Sequence, residues 1–97
     1  MGILNSLRLY RGKWEESDRS KFSAAELAEI ASAKIVASDF GQSVCFLMKN
    51  GGMKFIPVSN TSKVDTEVGD TVNLSKVEVI TLSREGDADI YRAEING

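Results

Sequence analysis

The strongest strand signal is the largely apolar stretch at residues 43–58, S-V-C-F-L-M-K-N-G-G-M-K-F-I-P-V, broken in the middle by K-N-G-G. The pattern on either side of Asn50-Gly51 predicts two antiparallel strands joined by a tight turn, because both residues tolerate the positive φ of a type I′ hairpin. That two-residue turn would set Met48 opposite Met53, Phe46 opposite Phe55 and Val44 opposite Pro57 on one face. Cys45, Leu47, Ile56 and Val58 would share the other. A three-residue loop would instead swap the faces of one strand, and the pattern leaves both loops open. In every register both faces are largely apolar, so the hairpin is expected to be covered on both sides or to lend one face to a partner. Pro57 has no N–H to give a ladder, so its strand should be an edge there, or end there.

The flanking pattern fills in the rest. Ser23-Ala24-Ala25-Glu26 is a capping box, with Phe22 and Leu27 placed for a hydrophobic staple. It predicts a helix from Ala24 to about Ser32 with Leu27, Ile30 and Ala31 along its buried stripe. Residues 34–38 read as a strand leading through a turn at 39–42 into the hairpin, which makes a three-stranded meander. Residues 59–67 are rich in Ser, Thr, Asn and Asp, hence a loop. Residues 68–72 read as a turn feeding a strand, with Gly69 supplying positive φ. Residues 77–84 and 89–95 alternate as a last strand pair around a turn at 84–88. Val77, Val79 and Thr81 share one face of the first strand, and Tyr91, Ala93 and Ile95 share one face of the returning strand. Residues 15–21 are polar and mixed in charge and read as a loop. At the start, Ile3, Leu4, Leu7, Tyr10 and Trp14 recur at roughly helical spacing, although Gly12 weakens the second half.

Composition narrows the function classes. The 97 residues fit one domain with a modest core, at 42% hydrophobic and 27% charged. The net charge of −2 makes the whole molecule no electrostatic magnet for nucleic acid. No apolar run reaches membrane-span length and no leader pattern appears, so no membrane role is expected. The single cysteine, Cys45, has no internal partner, which fits a reducing, cytoplasmic setting. Histidine is absent. That removes the commonest general base, the Ser-His and Cys-His pairs and every His-based metal site. The acidic groups Asp65-Glu67-Asp70 and Glu85-Asp87-Asp89 match no EF-hand and read as solvated turns. No phosphate-binding glycine motif is present. The expectation is a non-enzymatic protein with no catalytic residues, no metal and no cofactor.

Candidate binding chemistry remains. Phe46, Phe55 and Tyr91 are rings that could stack on bases, and Lys49, Lys54, Arg84 and Arg92 are cations that could meet phosphates. The N-terminal arm adds Arg8 and Arg11, interleaved with Tyr10 and Trp14. Each feature has a plainer reading. An aromatic pair across strands is a good core element, edge lysines solubilise, and a terminal amphipathic segment often simply docks.

The runs A-K-I-V-A-S-D-F-G-Q-S-V-C-F-L-M-K-N-G-G-M-K-F-I-P-V, V-G-D-T-V-N-L-S-K and I-Y-R-A-E-I resemble small uncharacterised proteins of gut bacteria and their phages. Over residues 33–95 the strand layout is similar to that of the OB-fold single-stranded-DNA-binding proteins of phages. The last residues, A-E-I-N-G, depart from that group, whose members use an acidic tail to recruit replication partners. The resemblance therefore implies strand binding more than a replication role. The expected fold is mainly β with one short helix: a small OB-like barrel of about five to six antiparallel strands with an N-terminal helix. Residues 1–22 are read as a basic and aromatic segment, and 23–97 as the single barrel domain. The expected task is binding single-stranded nucleic acid through the 43–58 hairpin face and the basic arm. The alternative is a protein-interaction or homo-oligomerising module, in which Met-rich apolar surface meets a partner or a second copy.

Overall fold

The structure, a computed structural model, describes residues 15–39, 41–83 and 90–97. The arm carrying Arg8 and Arg11, the turn carrying Arg84 and the acidic group at 85–89 lie outside the described residues. Six described strands form two three-stranded antiparallel sheets. β1 (Glu15–Lys21), β5 (Val77–Ser83) and β6 (Ile90–Ile95) make one sheet in the order β1-β5-β6. β2 (Ile30–Ser38), β3 (Gly41–Met48) and β4 (Met53–Pro57) make the other, the predicted meander, in chain order. The helix α1 (Ala24–Glu29) connects β1 to β2.

The two sheets pack face to face. Ile35, Val44 and Phe46 from the meander meet Val77, Ala93 and Ile95 from the other sheet, and Val72 joins them. Phe22 packs edge-on against Phe46, with ring centroids 5.4 Å apart, an arrangement that adds to the area the rings bury. The segment after Gly69 covers the free side of β2: Ile35 N–H donates to the Asp70 carbonyl, and Val72 N–H to the Ala33 carbonyl, both at 2.9 Å. Thr71 makes only an isolated bridge to Lys34, so the strand expected over 68–72 is an edge cover. Gly69 does take the expected positive φ, at 100°.

The hairpin uses the longer loop. Gly51 alone has positive φ, at 92°, and Asn50 does not. Met48 accepts from Gly51 N–H and donates its own N–H to the Gly52 carbonyl, the three-residue loop in which a type I turn ends at a left-handed glycine. The Asn50 side chain secures it by accepting Gly52 N–H at 2.9 Å. The pairing is therefore Leu47 with Met53, Cys45 with Phe55, Phe46 with Lys54 and Val44 with Ile56. Phe46 and Phe55 lie on opposite faces, which corrects the two-residue register.

Three further expectations are corrected. Residues 15–21 form an edge strand rather than a loop, paired with β5 from Glu15–Ser83 to Lys21–Glu78 around a bulge. Helix α1 stops at Glu29 and buries none of its residues. Ile30 turns extended and pairs with Met48, because a helix this short is marginal alone and Ile30, Ile35 and Val36 suit a pleated surface. The sheets also do not close into a barrel, and no N-terminal helix is described, α1 following a strand. Closure fails at β4. Val58 N–H donates to Gln42, so by antiparallel alternation the Pro57 nitrogen faces away from β3, where it has no hydrogen to offer β6. The sheets are joined there by the single parallel bridge Val58–Ala93, with Ser59 N–H donating to the Ala93 carbonyl at 2.7 Å.

Candidate binding groove

Beyond that bridge the sheets part, and a groove of about 640 Å³ opens between β4 and the inner face of β1-β5-β6. Its floor is the cross-strand row of Ser20 and Val79 and the row of Thr81 and Tyr91. Lys54, Phe55 and Ile56 of β4 form one wall, and Lys21, Phe22 and Glu26 at the β1–α1 junction form the other. Phe55 is 58% exposed and Tyr91 50% exposed. β4 is an edge strand, so Phe55 borders the groove although its ring belongs to the outer face of the meander.

The capping box fixes the Glu26 wall. Ser23 N–H donates to Glu26 Oε1 at 2.9 Å, and Glu26 N–H donates to Ser23 Oγ at 3.1 Å. The Ser23 N–H first, then its hydroxyl, and also the charge of Lys54, hold the Glu26 carboxyl below the usual carboxylate range. Lys54 enters no ion pair among the described residues, while Lys21, although its residue borders the groove, pairs with Glu78 in the row of Glu94 on the other face of the sheet.

The structure brings three sequence-named residues to this groove: Lys54, Phe55 and Tyr91. It places others elsewhere. Phe46 is 2% exposed and fully engaged in the core, since it shares the inner face of the meander with Ala33, Ile35 and Val44. Lys49 sits at the hairpin tip beside Ala28 and Glu29, with its N–H donating to the Glu29 carbonyl. Arg92 shares a row with Ile80 on the other face of its sheet and donates to the Tyr91 carbonyl at 2.9 Å. Lys21, Phe22 and Glu26 were not singled out as site residues. The capping box was legible, but nothing in spacing told that it would stand across from β4.

The outer face of β1-β5-β6 holds a different constellation, in a hollow of about 440 Å³. Glu94 is 3% exposed. It accepts from Thr61 Oγ1 at 2.6 Å and from Arg19 at 2.5 Å. Arg19 also forks onto both oxygens of Glu16 at 2.9 Å. The Thr61 hydroxyl first, then Arg19, hold the Glu94 carboxyl low against the burial that pushes it up. Every charge in this network has a partner, so it reads as structural.

Among the described residues no group of His, Cys, Asp and Glu has the arrangement to hold a metal ion, and no helix is long and apolar enough to cross a membrane. No family model, curated protein or solved structure matches this chain.

Proposed function

We propose that this chain is a non-enzymatic module that binds single-stranded nucleic acid in the groove between β4 and β1-β5-β6. The observation that carries the reading is the convergence there of the half-exposed Tyr91 ring and the unpaired Lys54, with the half-exposed Phe55 ring at the rim. Rings offer bases a sequence-tolerant stacking surface, and lysines meet the phosphates between them. The test is fluorescence anisotropy with labelled single-stranded oligonucleotides. With the one phosphate contact of Lys54, counterion release predicts affinity falling about threefold between 50 and 200 mM salt. Phe55→Ala or Tyr91→Ala should each cost about 1–3 kcal/mol of binding. An absence of binding at low salt would sink the reading.

One observation favours a second reading. Leu47, Met53 and Phe55 stand exposed together on the outer face of the meander, a surface that would suit a protein partner or a second copy. Lys54 and Pro57 on the same edge strand are devices that resist edge pairing, which ranks this second. Self-association through that face would appear as a concentration-dependent sedimentation coefficient, insensitive to salt. A constant monomer would exclude it.

A further inference from the structure

The meander covers the inner face of β1-β5-β6 fully only where Val77, Ala93 and Ile95 are buried. In the Thr81–Tyr91 row the Tyr91 ring is 50% exposed, and Phe22 and Ile56 in the walls of the groove are only half-buried. Inner-face positions left open in this way are apolar surface available to a cover. The chain supplies one at the right place. β1 begins at Glu15, which pairs with Ser83, two residues and so about 7 Å along β5 from Thr81. Residues 1–14, outside the described residues, therefore lead into the sheet at the open end of the groove. Their sequence has the form of a cover. Ile3, Leu4, Leu7 and Tyr10 follow helical spacing on one stripe, and Gly12 stands between that stripe and Glu15, where a reversal needs a permissive residue. A helix over 3–10 would be about 12 Å long, against about 13 Å of strand from Val79 to Ser83. The charges agree in sign. The arm carries Arg8, Arg11 and Lys13 and no acid. The groove has Asp18 in the Thr81 row and Glu26 in one wall, against Lys54, while Lys21 lies in the row of Glu78 on the other face.

We infer that residues 3–10 of this chain dock across the Thr81–Tyr91 row, so that the arm is a tethered competitor for the groove. The docking stands on the geometry, and the competition with single-stranded nucleic acid rests on the reading above. A helix this short is marginal alone, so the arm exchanges on and off. A site covered by its own chain binds ligand with an affinity reduced by the fraction of time it is free.

The experiment uses the full chain. Cys45→Ser with Ser6→Cys leaves one thiol, on the arm, for a nitroxide label. The label should broaden the backbone amide signals of Thr81 and Tyr91 far more than those of Ser75 and Lys76, beyond the opposite end of β5. Leu4→Ser with Leu7→Ser keeps every charge of the arm and should abolish that difference. The same variant should bind labelled oligo-dT more tightly, about twofold for an arm docked half of the time. Broadening that is absent, or equal at both ends of β5, would overturn the docking. Broadening at the groove with unchanged or weaker oligonucleotide binding by the Leu variant would overturn the competition. Broadening at the groove with no oligonucleotide bound by either protein would uphold the docking and overturn the nucleic-acid reading.

Discussion

The sheet β1-β5-β6 has charged groups at both of its faces, and their situations differ. On the outer face Arg19 reaches Glu16 and Glu94, and Glu94 also takes the Thr61 hydroxyl. On the groove side Lys54 has no ion partner among the described residues, beside the exposed Tyr91 ring and with Phe55 at the rim. The difference follows from what covers each side. The loop at 59–61, held by the Ser59–Ala93 hydrogen bond, covers Glu94, so that this carboxylate must be satisfied, since an unpaired buried charge is costly; Arg19 reaches it from the surface. The second region has no such cover among the described residues, because β4 runs out of ladder at Pro57. A charge count cannot tell a stabilising cation from an available one. The cover does.

The largest test of this contrast lies in the core that holds both regions in place. Phe46→Ala should cost about 3–5 kcal/mol, the range for emptying a packed aromatic site, read as a lower urea midpoint at unchanged slope. If Phe46→Ala were nearly neutral, Phe46 would not be the ring that fills the space between the sheets.

The sealed region comes next. Glu94→Gln keeps an acceptor for Thr61 but loses the charge-assisted bond to Arg19, a loss of about 1.5–3 kcal/mol. The pH dependence has a definite sign. The folded-state pKa of Glu94 lies below its ordinary value, so the unfolded chain takes up the proton first as pH falls. The contribution is thus complete above the usual carboxylate range and is lost as pH drops through the folded pKa. Wild type should lose stability on acidification more steeply than Glu94→Gln. Glu16 and Glu26, also held low, leave a residual slope in both. Parallel curves would show that Glu94 is not held by this network.

These two residues also mark how far the sequence could be read. The meander was legible because apolar alternation and turn chemistry agreed, and the capping box because its four residues are contiguous. Strand β1 was not. Its residues E-E-S-D-R-S-K contribute backbone pairing and solvent-facing charge but no apolar alternation, so the hydrophobic pattern is silent there. The Arg19–Glu94 pair spans 75 positions, and no local rule joins such residues. The hairpin was legible except for one number, its loop length. Asn50-Gly51 serves both a two- and a three-residue loop, and that single residue moves Phe55 from the face of Phe46 to the opposite one. The third candidate ring, Tyr91, was correctly placed with Ala93 and Ile95 on one face of its strand, and the pairing with β5 makes that the face of Val79 and Thr81. Its exposure depended on where the sheets part, which alternation does not encode.

The smallest effect is the sharpest test of the open region. Phe55 and Tyr91 are half-exposed rings, so replacing either by alanine should change folding stability by no more than about 0.5 kcal/mol, as for surface positions generally. Urea melts of Phe55→Ala and Tyr91→Ala should therefore overlay wild type within error, while the same proteins lose affinity for oligonucleotides. The combination matters because either half alone is ambiguous. A variant that loses both stability and binding would show a ring that props the two sheets apart. A variant that loses neither would remove that ring from the stacking surface. Only unchanged stability with lost binding matches a ring held out for a ligand, Tyr91 in the groove and Phe55 at its rim, rather than one that fills the core as Phe46 does.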